Sequence, residues 1–198
     1  MSSATTSCLD KIRRQVGLHK PRRIEPNGRA VAGVLILCYD VHGETYLLFT
    51  RRTELVEHHK GEICFPGGAR EAADADLYQT ALRESFEEVG LRPEHVELVG
   101  QLNDIVSRGS NFVISPYVGI ISAPVPYAFD HARHEVEEIL EMPLAHLLDG
   151  GNVTRETRDV DGEKVELYFY RFGRHTIWGA TARILNQLLG LLSEDAAG

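Results

Sequence analysis

The amino-acid sequence predicts an α/β fold, a sandwich in which a central mixed sheet is covered by helices on both sides. Three observations lead there. Two β-rich runs, AVAGVLILCYD from Ala30 and ETYLLFTRR from Glu44, are joined by a short turn signal. Amphipathic helical patterns lie near the start, the middle and the end of the chain. Strand-like and helix-like segments alternate with no internal repeat, low-complexity tract or linker, so 198 residues suit one domain with an added terminal element.

Leu9, Ile12 and Val16 have helical spacing, so residues 1–28 read as an N-terminal helix and extension packed on a domain spanning 29–198. The first 23 residues hold Ser, Thr, Lys and Arg with only Asp10 as an acid, which also leaves a transit peptide open. The runs from Ala30 and Glu44 form a hairpin about VHG, and EICFPGG adds a short strand ending at a double glycine. A helix follows from about Leu77 to Val89, with Leu77, Ala81, Leu82, Phe86 and Val89 on its core face. Asp76 with Gln79 caps its start, and Gly90 closes it in the left-handed conformation. Strands are expected around Val96 to Val106 and Val113 to Ser122, and Pro116 in the second favours an edge or a bulge. HEVEEILEMPLAHLL suggests short helical pieces about Pro143. RDVDGEK reads as a hairpin turn before the strand VELYFYRF. WGATARILNQLLGLL is a final amphipathic helix, and EDAAG frays.

With 21 Lys+Arg against 29 Asp+Glu, the formal net charge is -8. That disfavours a nucleic-acid or anionic-membrane surface and points to small-molecule partners, while leaving room for a local phosphate pocket. Cys8, Cys38 and Cys64 form no C-x-x-C pair and are odd in number, so neither a zinc site nor a disulfide framework is expected. The longest apolar stretch, VAGVLILCY, falls far short of the ~20 residues a membrane helix needs, and no secretory pattern opens the chain. A reducing, cytoplasmic setting follows as the expectation.

RESFEEVGL, residues 83–91, carries the chemistry. Glu84 and Glu88 stack one turn apart with Glu87 beside them, near a helix C-terminus whose dipole already disfavours negative charge. A cation relieves that crowding, and carboxylate oxygens suit Mg²⁺ or Mn²⁺. The competing reading is a solvated face with Arg83 pairing Glu87 at i,i+4.

GGAREAADADLYQTALRESFEEVGL resembles the Nudix box, with Arg83, Glu84, Glu87, Glu88, Gly90 and Leu91 in place. Asp74 occupies its acidic position, the gap to Arg83 is one residue longer than the pattern, and Ser85 replaces a larger apolar residue. Upstream, LLFTRRTELVEHHKGEICFPGG resembles the signature of the coenzyme A pyrophosphatase subfamily. Thr50, Arg52, His59, Gly61, Phe65, Pro66, Gly67 and Gly68 match it, Thr53 stands where serine is usual, and Glu57 where arginine is usual.

The resemblance implies a Nudix-type sandwich and a hydrolase that cleaves a nucleoside diphosphate derivative, coenzyme A or an acyl-coenzyme A, into 3′,5′-ADP and 4′-phosphopantetheine. It implies Mg²⁺ or Mn²⁺ held by Glu84, Glu87 and Glu88 with a backbone carbonyl of Gly68 or Gly67. Arg83 orients a glutamate. The general base comes from the box glutamates, Glu135 or Glu138, the last two being equally readable as an exposed helical face. Arg52, Thr53, His59 and Gly61 form a substrate-binding set, with Arg52 as a phosphate clamp. KPRR, from Lys20, either reaches a distal phosphate or is solvated. Glu57 keeps a second substrate class open, namely ADP-ribose, a dinucleotide or a nucleoside triphosphate. A non-catalytic nucleotide sensor on the same fold is a third reading, and a homodimer is left open.

Overall fold

A computed structural model describes residues 7–53, 61–107, 109–160 and 162–193. The chain begins with helix α1 (Cys8–Leu18), capped by the Ser7 hydroxyl, which accepts from the Asp10 amide. Strands β1 (Ala30–Val41) and β2 (Glu44–Arg52) form the hairpin expected. His42 and Gly43 both have positive φ, 52° and 85°, the two-residue turn whose twist matches that of the strands. Short strands β3 (Ile63–Cys64) and β4 (Gly67–Ala69) lead into helix α2 (Leu77–Val89). Strands β5 (Val96–Gln101), β6 (Ile105–Ser107), β7 (Phe112–Ile121) and β8 (Val136–Pro143) follow, then helix α3 (Leu144–Leu148). Strands β9 (Val153–Val160), β10 (Glu163–Phe172) and β11 (His175–Ile177) precede helix α4 (Gly179–Ser193).

Eight strands make the central sheet, ordered β3-β2-β1-β7-β5, with β4 beside β1, β6 beside β7 and β8 beside β2. It is mixed, because β1 and β7 run parallel while the other pairs are antiparallel. Its two faces have separate cores. Leu35, Leu37 and Leu48 pack with Ala81, Leu82 and Val89 of α2. Ile36, Leu47 and Phe49 pack with Ile12 and Val16 of α1 and with Leu185 and Leu188 of α4. Burial on both faces is why VAGVLILCY reads as an unbroken apolar run. Cys38 is fully buried, and Cys8, Cys38 and Cys64 are free thiols. None of the described helices is long and apolar enough to cross a membrane.

Four sequence expectations are corrected. The pieces about Pro143 are not both helical: Val136–Pro143 is β8, antiparallel to β2. Val136, Leu140 and Met142 are buried while Glu137 and Glu141 are exposed, a period of two that the open edge of β2 selects. Pro116 lies on an interior strand, since β7 has β1 on one side and β5 and β6 on the other. The sheet tolerates it because the Leu102 amide donates to the Pro116 carbonyl at 3.0 Å, so the nitrogen without a proton faces the break between β5 and β6. Phe86 is 53% exposed, whereas Ser85 is fully buried with its hydroxyl donating to the Ala81 carbonyl. The close crossing of α2 over β1 needs small residues on its inner face. Finally, β9, β10 and β11 form a second, three-stranded antiparallel sheet that the sequence did not separate from the first. The proposed fraying of EDAAG concerns residues 194–198, outside the described residues.

Candidate active site

Helix α2 places the carboxylates. The Asp76 side chain accepts from the Gln79 amide at 2.8 Å, and Gly90 ends the helix at φ 68°. Between those caps the register is set by how closely α2 approaches the sheet. A Cβ on Gly33 of β1 would stand 2.0 Å from the Leu77 carbonyl oxygen, and one on Gly68 of β4 would stand 2.4 Å from the Glu84 carboxyl carbon. A side chain would therefore meet helix backbone at the first glycine and the Glu84 carboxylate at the second.

Gly68→Ala is accordingly expected to leave the melting temperature within a few degrees of the parent's, because only the end of a flexible side chain is in the way. It should lower kcat/KM by roughly tenfold or more, as Glu84 is pushed from its place. Paired calorimetry and kinetics check this.

Glu88 is the most buried acid among the described residues, 1% exposed. One carboxylate oxygen accepts from the Gly67 amide at 3.2 Å and the other meets Arg52 Nη1 at 3.4 Å. Burial pushes its carboxyl up to about 8 in spite of those two partners, and the nearby Glu84 and Glu135 push the same way. Glu84 is also raised, chiefly by burial, with Arg83 opposing and Glu87 and Glu135 adding. Desolvation outweighs the ion pairs at both positions, so the ionised site lacks positive charge.

Arg83 spans much of that site. Its Nε and Nη2 grip the two oxygens of Asp74 at 3.0 and 3.1 Å, and Nη2 also donates to the Ala69 carbonyl. Nη1 stands 3.0 Å from Glu84 and 3.1 Å from Glu87. The bidentate pair expected between Arg83 and a glutamate is thus made with Asp74, whose carboxyl lies well below the usual range mainly through the Arg83 bonds. Asp74 also accepts from the Glu71 amide and the Thr80 hydroxyl. Its place in the motif was legible. Its role as the anchor of Arg83 was not, because the two meet only across the loop ahead of α2.

The other expected residues separate by position. Glu135 is partly exposed, 3.3 Å from His134, and acts electrostatically on both Glu84 and Glu88. Glu138 is held by Arg174 at 3.2 Å and Arg51 at 3.9 Å. Thr53 is 6% exposed with its hydroxyl donating to the His134 carbonyl, so it ties β2 to the chain before β8. The Gly61 amide donates to the Arg52 carbonyl, at φ 66°. His59 and Glu57 lie outside the described residues. In the KPRR stretch the Arg22 main chain is tied to Asn103 and Asp104.

The ladder between β1 and β4 decides which backbone group faces the acids. The Leu35 amide donates to the Pro66 carbonyl and the Arg70 amide to the Val31 carbonyl. With Gly68 opposite Gly33, that phase turns the Gly68 amide and carbonyl toward β1 and leaves the Gly67 amide facing Glu88.

Hard oxygen donors, buried and short of positive charge, fit a divalent cation. Among the described residues, however, no three His, Cys, Asp or Glu side chains already converge on one point. Arginines stand between the acids, with Arg83 against Glu84 and Glu87 and Arg52 against Glu88.

The profile of the NUDIX domain family matches residues 29–161. The chain is 34% identical over 169 residues to the uncharacterized Nudix hydrolase NudL of Photorhabdus laumondii, covering 85% of this chain and 87% of that protein. It is 38% identical over 143 residues to NudL of Klebsiella pneumoniae, covering 72% of each. Among solved structures, a MutT/nudix family protein from Enterococcus faecalis superposes with a TM-score of 0.58 at 15% identity, over 95% of this chain and 70% of that one. The MutT protein from Methanosarcina mazei Go1 gives 0.53 at 15% identity, over 91% and 99%. Identities that low speak to the fold.

Proposed function

The chain belongs to the Nudix family, hydrolases of phosphorus-containing anhydrides that generally use divalent metal ions, and from that premise we propose that it is a Mg²⁺- or Mn²⁺-dependent diphosphatase of coenzyme A or its derivatives. The products are 3′,5′-ADP and (acyl-)4′-phosphopantetheine. One observation carries the substrate assignment. The stretch LLFTRRTELVEHHKGEICFPGG, which resembles the subfamily's signature, supplies most of β2, all of β3 and the start of β4, and its Arg52 and Gly67 are bonded to the buried Glu88.

In this reading Glu84, Glu87 and Glu88 would hold the cation. Of the two backbone carbonyls expected, Gly68 or Gly67, this reading takes that of Gly67, since the Gly68 carbonyl is turned into the ladder with β1. When bound, the cation supplies neutralisation of the diphosphate oxygens and a water of lowered pKa. Arg83, locked on Asp74, positions Glu84 and touches no substrate. Glu135 takes the proton of the attacking water while the bridging P–O bond breaks and its electrons leave with the departing phosphate. It is preferred to Glu138 because it shares the field of Glu84 and Glu88, while Glu138 is engaged by Arg174.

Glu57, standing where the subfamily has arginine, favours a second reading with ADP-ribose, a dinucleotide or a nucleoside triphosphate as substrate. Mass spectrometry of products after incubation with Mg²⁺ and, separately, coenzyme A, ADP-ribose, NADH and a nucleoside triphosphate separates the two. Release of 3′,5′-ADP from coenzyme A well above the other rates is expected. Intact coenzyme A beside cleavage of another diphosphate moves the assignment to the second reading, and cleavage of none favours a sensor.

A further inference from the structure

Arg52 and Arg83 both pair with carboxylates of α2, yet their bonding differs. Arg83 spends all three guanidinium nitrogens on the two oxygens of Asp74, on the Ala69 carbonyl and on Glu84 and Glu87. It is fully engaged. Arg52 reaches Glu88 through Nη1 alone, at 3.4 Å, its guanidinium also acts on the Cys64 thiol, and among the described residues its buried Nε has no hydrogen-bond partner. A buried donor left unpaired carries an uncompensated desolvation cost, and a guanidinium's strength lies in its two-pronged grip. Arg52 makes no such grip here. It supplies Glu88 with charge at long range while its geometry remains suited to another acceptor.

Glu88 shows the complementary deficiency. Its Oε2 is satisfied by the Gly67 amide, whereas among the described residues Oε1 has only the long contact with Arg52. That oxygen cannot serve a cation and the guanidinium equally well, because the two positive charges would compete for it at close range. We propose that Arg52 is a resident counter-ion. It occupies Oε1 of Glu88 in the metal-free protein, is displaced from that oxygen when the cation arrives, and then takes a phosphate oxygen of the substrate with its freed donors. The proposal rests on the metal-dependent reading of Glu84 and Glu88. Beyond that reading, it adds that one arginine serves first an acid and then the substrate, so that binding of metal frees the group that clamps phosphate.

The test is binding without turnover. Mn²⁺ alone is titrated by electron paramagnetic resonance into the parent, Arg52→Gln and Arg52→Lys, and methylenediphosphonate is then titrated into each Mg²⁺-loaded protein. Removing the competing charge should tighten Mn²⁺ binding in Arg52→Gln by on the order of tenfold. Affinity for the diphosphonate should fall by about tenfold in the same variant. Arg52→Lys, which keeps the charge, should bind Mn²⁺ like the parent while losing diphosphonate affinity. Equal or weaker Mn²⁺ binding by a folded Arg52→Gln overturns the proposal. Should Arg52→Gln not fold, the Arg52 Nε–H resonance of the parent decides. It should shift on adding Mg²⁺ and again on adding methylenediphosphonate, and an unmoved resonance overturns the exchange. A parent that binds no Mn²⁺ places the failure earlier, in the metal-dependent reading, and removes the basis for the exchange as well.

Discussion

Glu88→Gln is expected to lower kcat/KM by about three orders of magnitude, the scale on which a charge aimed at a phosphoryl transition state contributes to catalysis. Glutamine preserves the shape and can still accept from the Gly67 amide, so circular dichroism should be unchanged. Stability makes the second half of the test. A carboxyl held at about 8 in the folded protein binds its proton more tightly than the unfolded chain does. The stability this confers is fully present below the unfolded value near 4.5 and is lost as pH rises to about 8. Metal-free parent should therefore weaken over that window in denaturant titrations. The difference between parent and Glu88→Gln should grow with pH in favour of the variant. Metal reverses the trend for the parent, because a cation binds the ionised form and its affinity climbs as Glu88 deprotonates. A variant that keeps most of its activity, or a stability difference that ignores pH, would sink the role assigned to Glu88.

Gly33→Ala should have the largest effect on folding. The new methyl group would stand 2.0 Å from the Leu77 carbonyl oxygen and 3.2 Å from the Ala81 nitrogen. Both are backbone atoms of α2, so no side chain can swing aside, and the helix itself must lift from β1. Overpacking of this kind costs about 1–3 kcal/mol and more where backbone has to move, and we expect about 3 kcal/mol or above. For a domain of this size that is a fall of roughly 6–12 °C in melting temperature. Activity should fall with it even in the fraction that stays folded, because lifting α2 carries Glu84 and Glu88 away from Gly68 and Gly67. Calorimetry with kinetics on the soluble protein checks both parts. The contrast with Gly68→Ala is diagnostic, since there the methyl group meets a mobile carboxylate and only function should suffer.

Local chemistry made much of this protein readable from its sequence. Helix α2 was legible to the residue because Asp76 and Gly90 are caps that act within one turn, and the β1–β2 turn because His42-Gly43 is a turn signal by itself. The carboxylates of α2 were legible for the same reason, since residues one turn apart on one helix need no other element to bring them together. What lay beyond was decided by contacts between distant segments. Val136–Pro143 became a strand because β2 offered it an edge, and Pro116 became interior because its missing proton faces a break in the neighbouring ladder. Phe86 turned outward and Ser85 inward because Gly33 lets α2 sit close to β1. The same holds at the site. Arg83 belongs first to Asp74, Glu88 is buried between Gly67 and Arg52, and Glu135 rather than Glu138 acts on the acids. Spacing along a chain determines which groups share a turn, but burial and partnership across a sheet depend on packing that only the folded protein supplies.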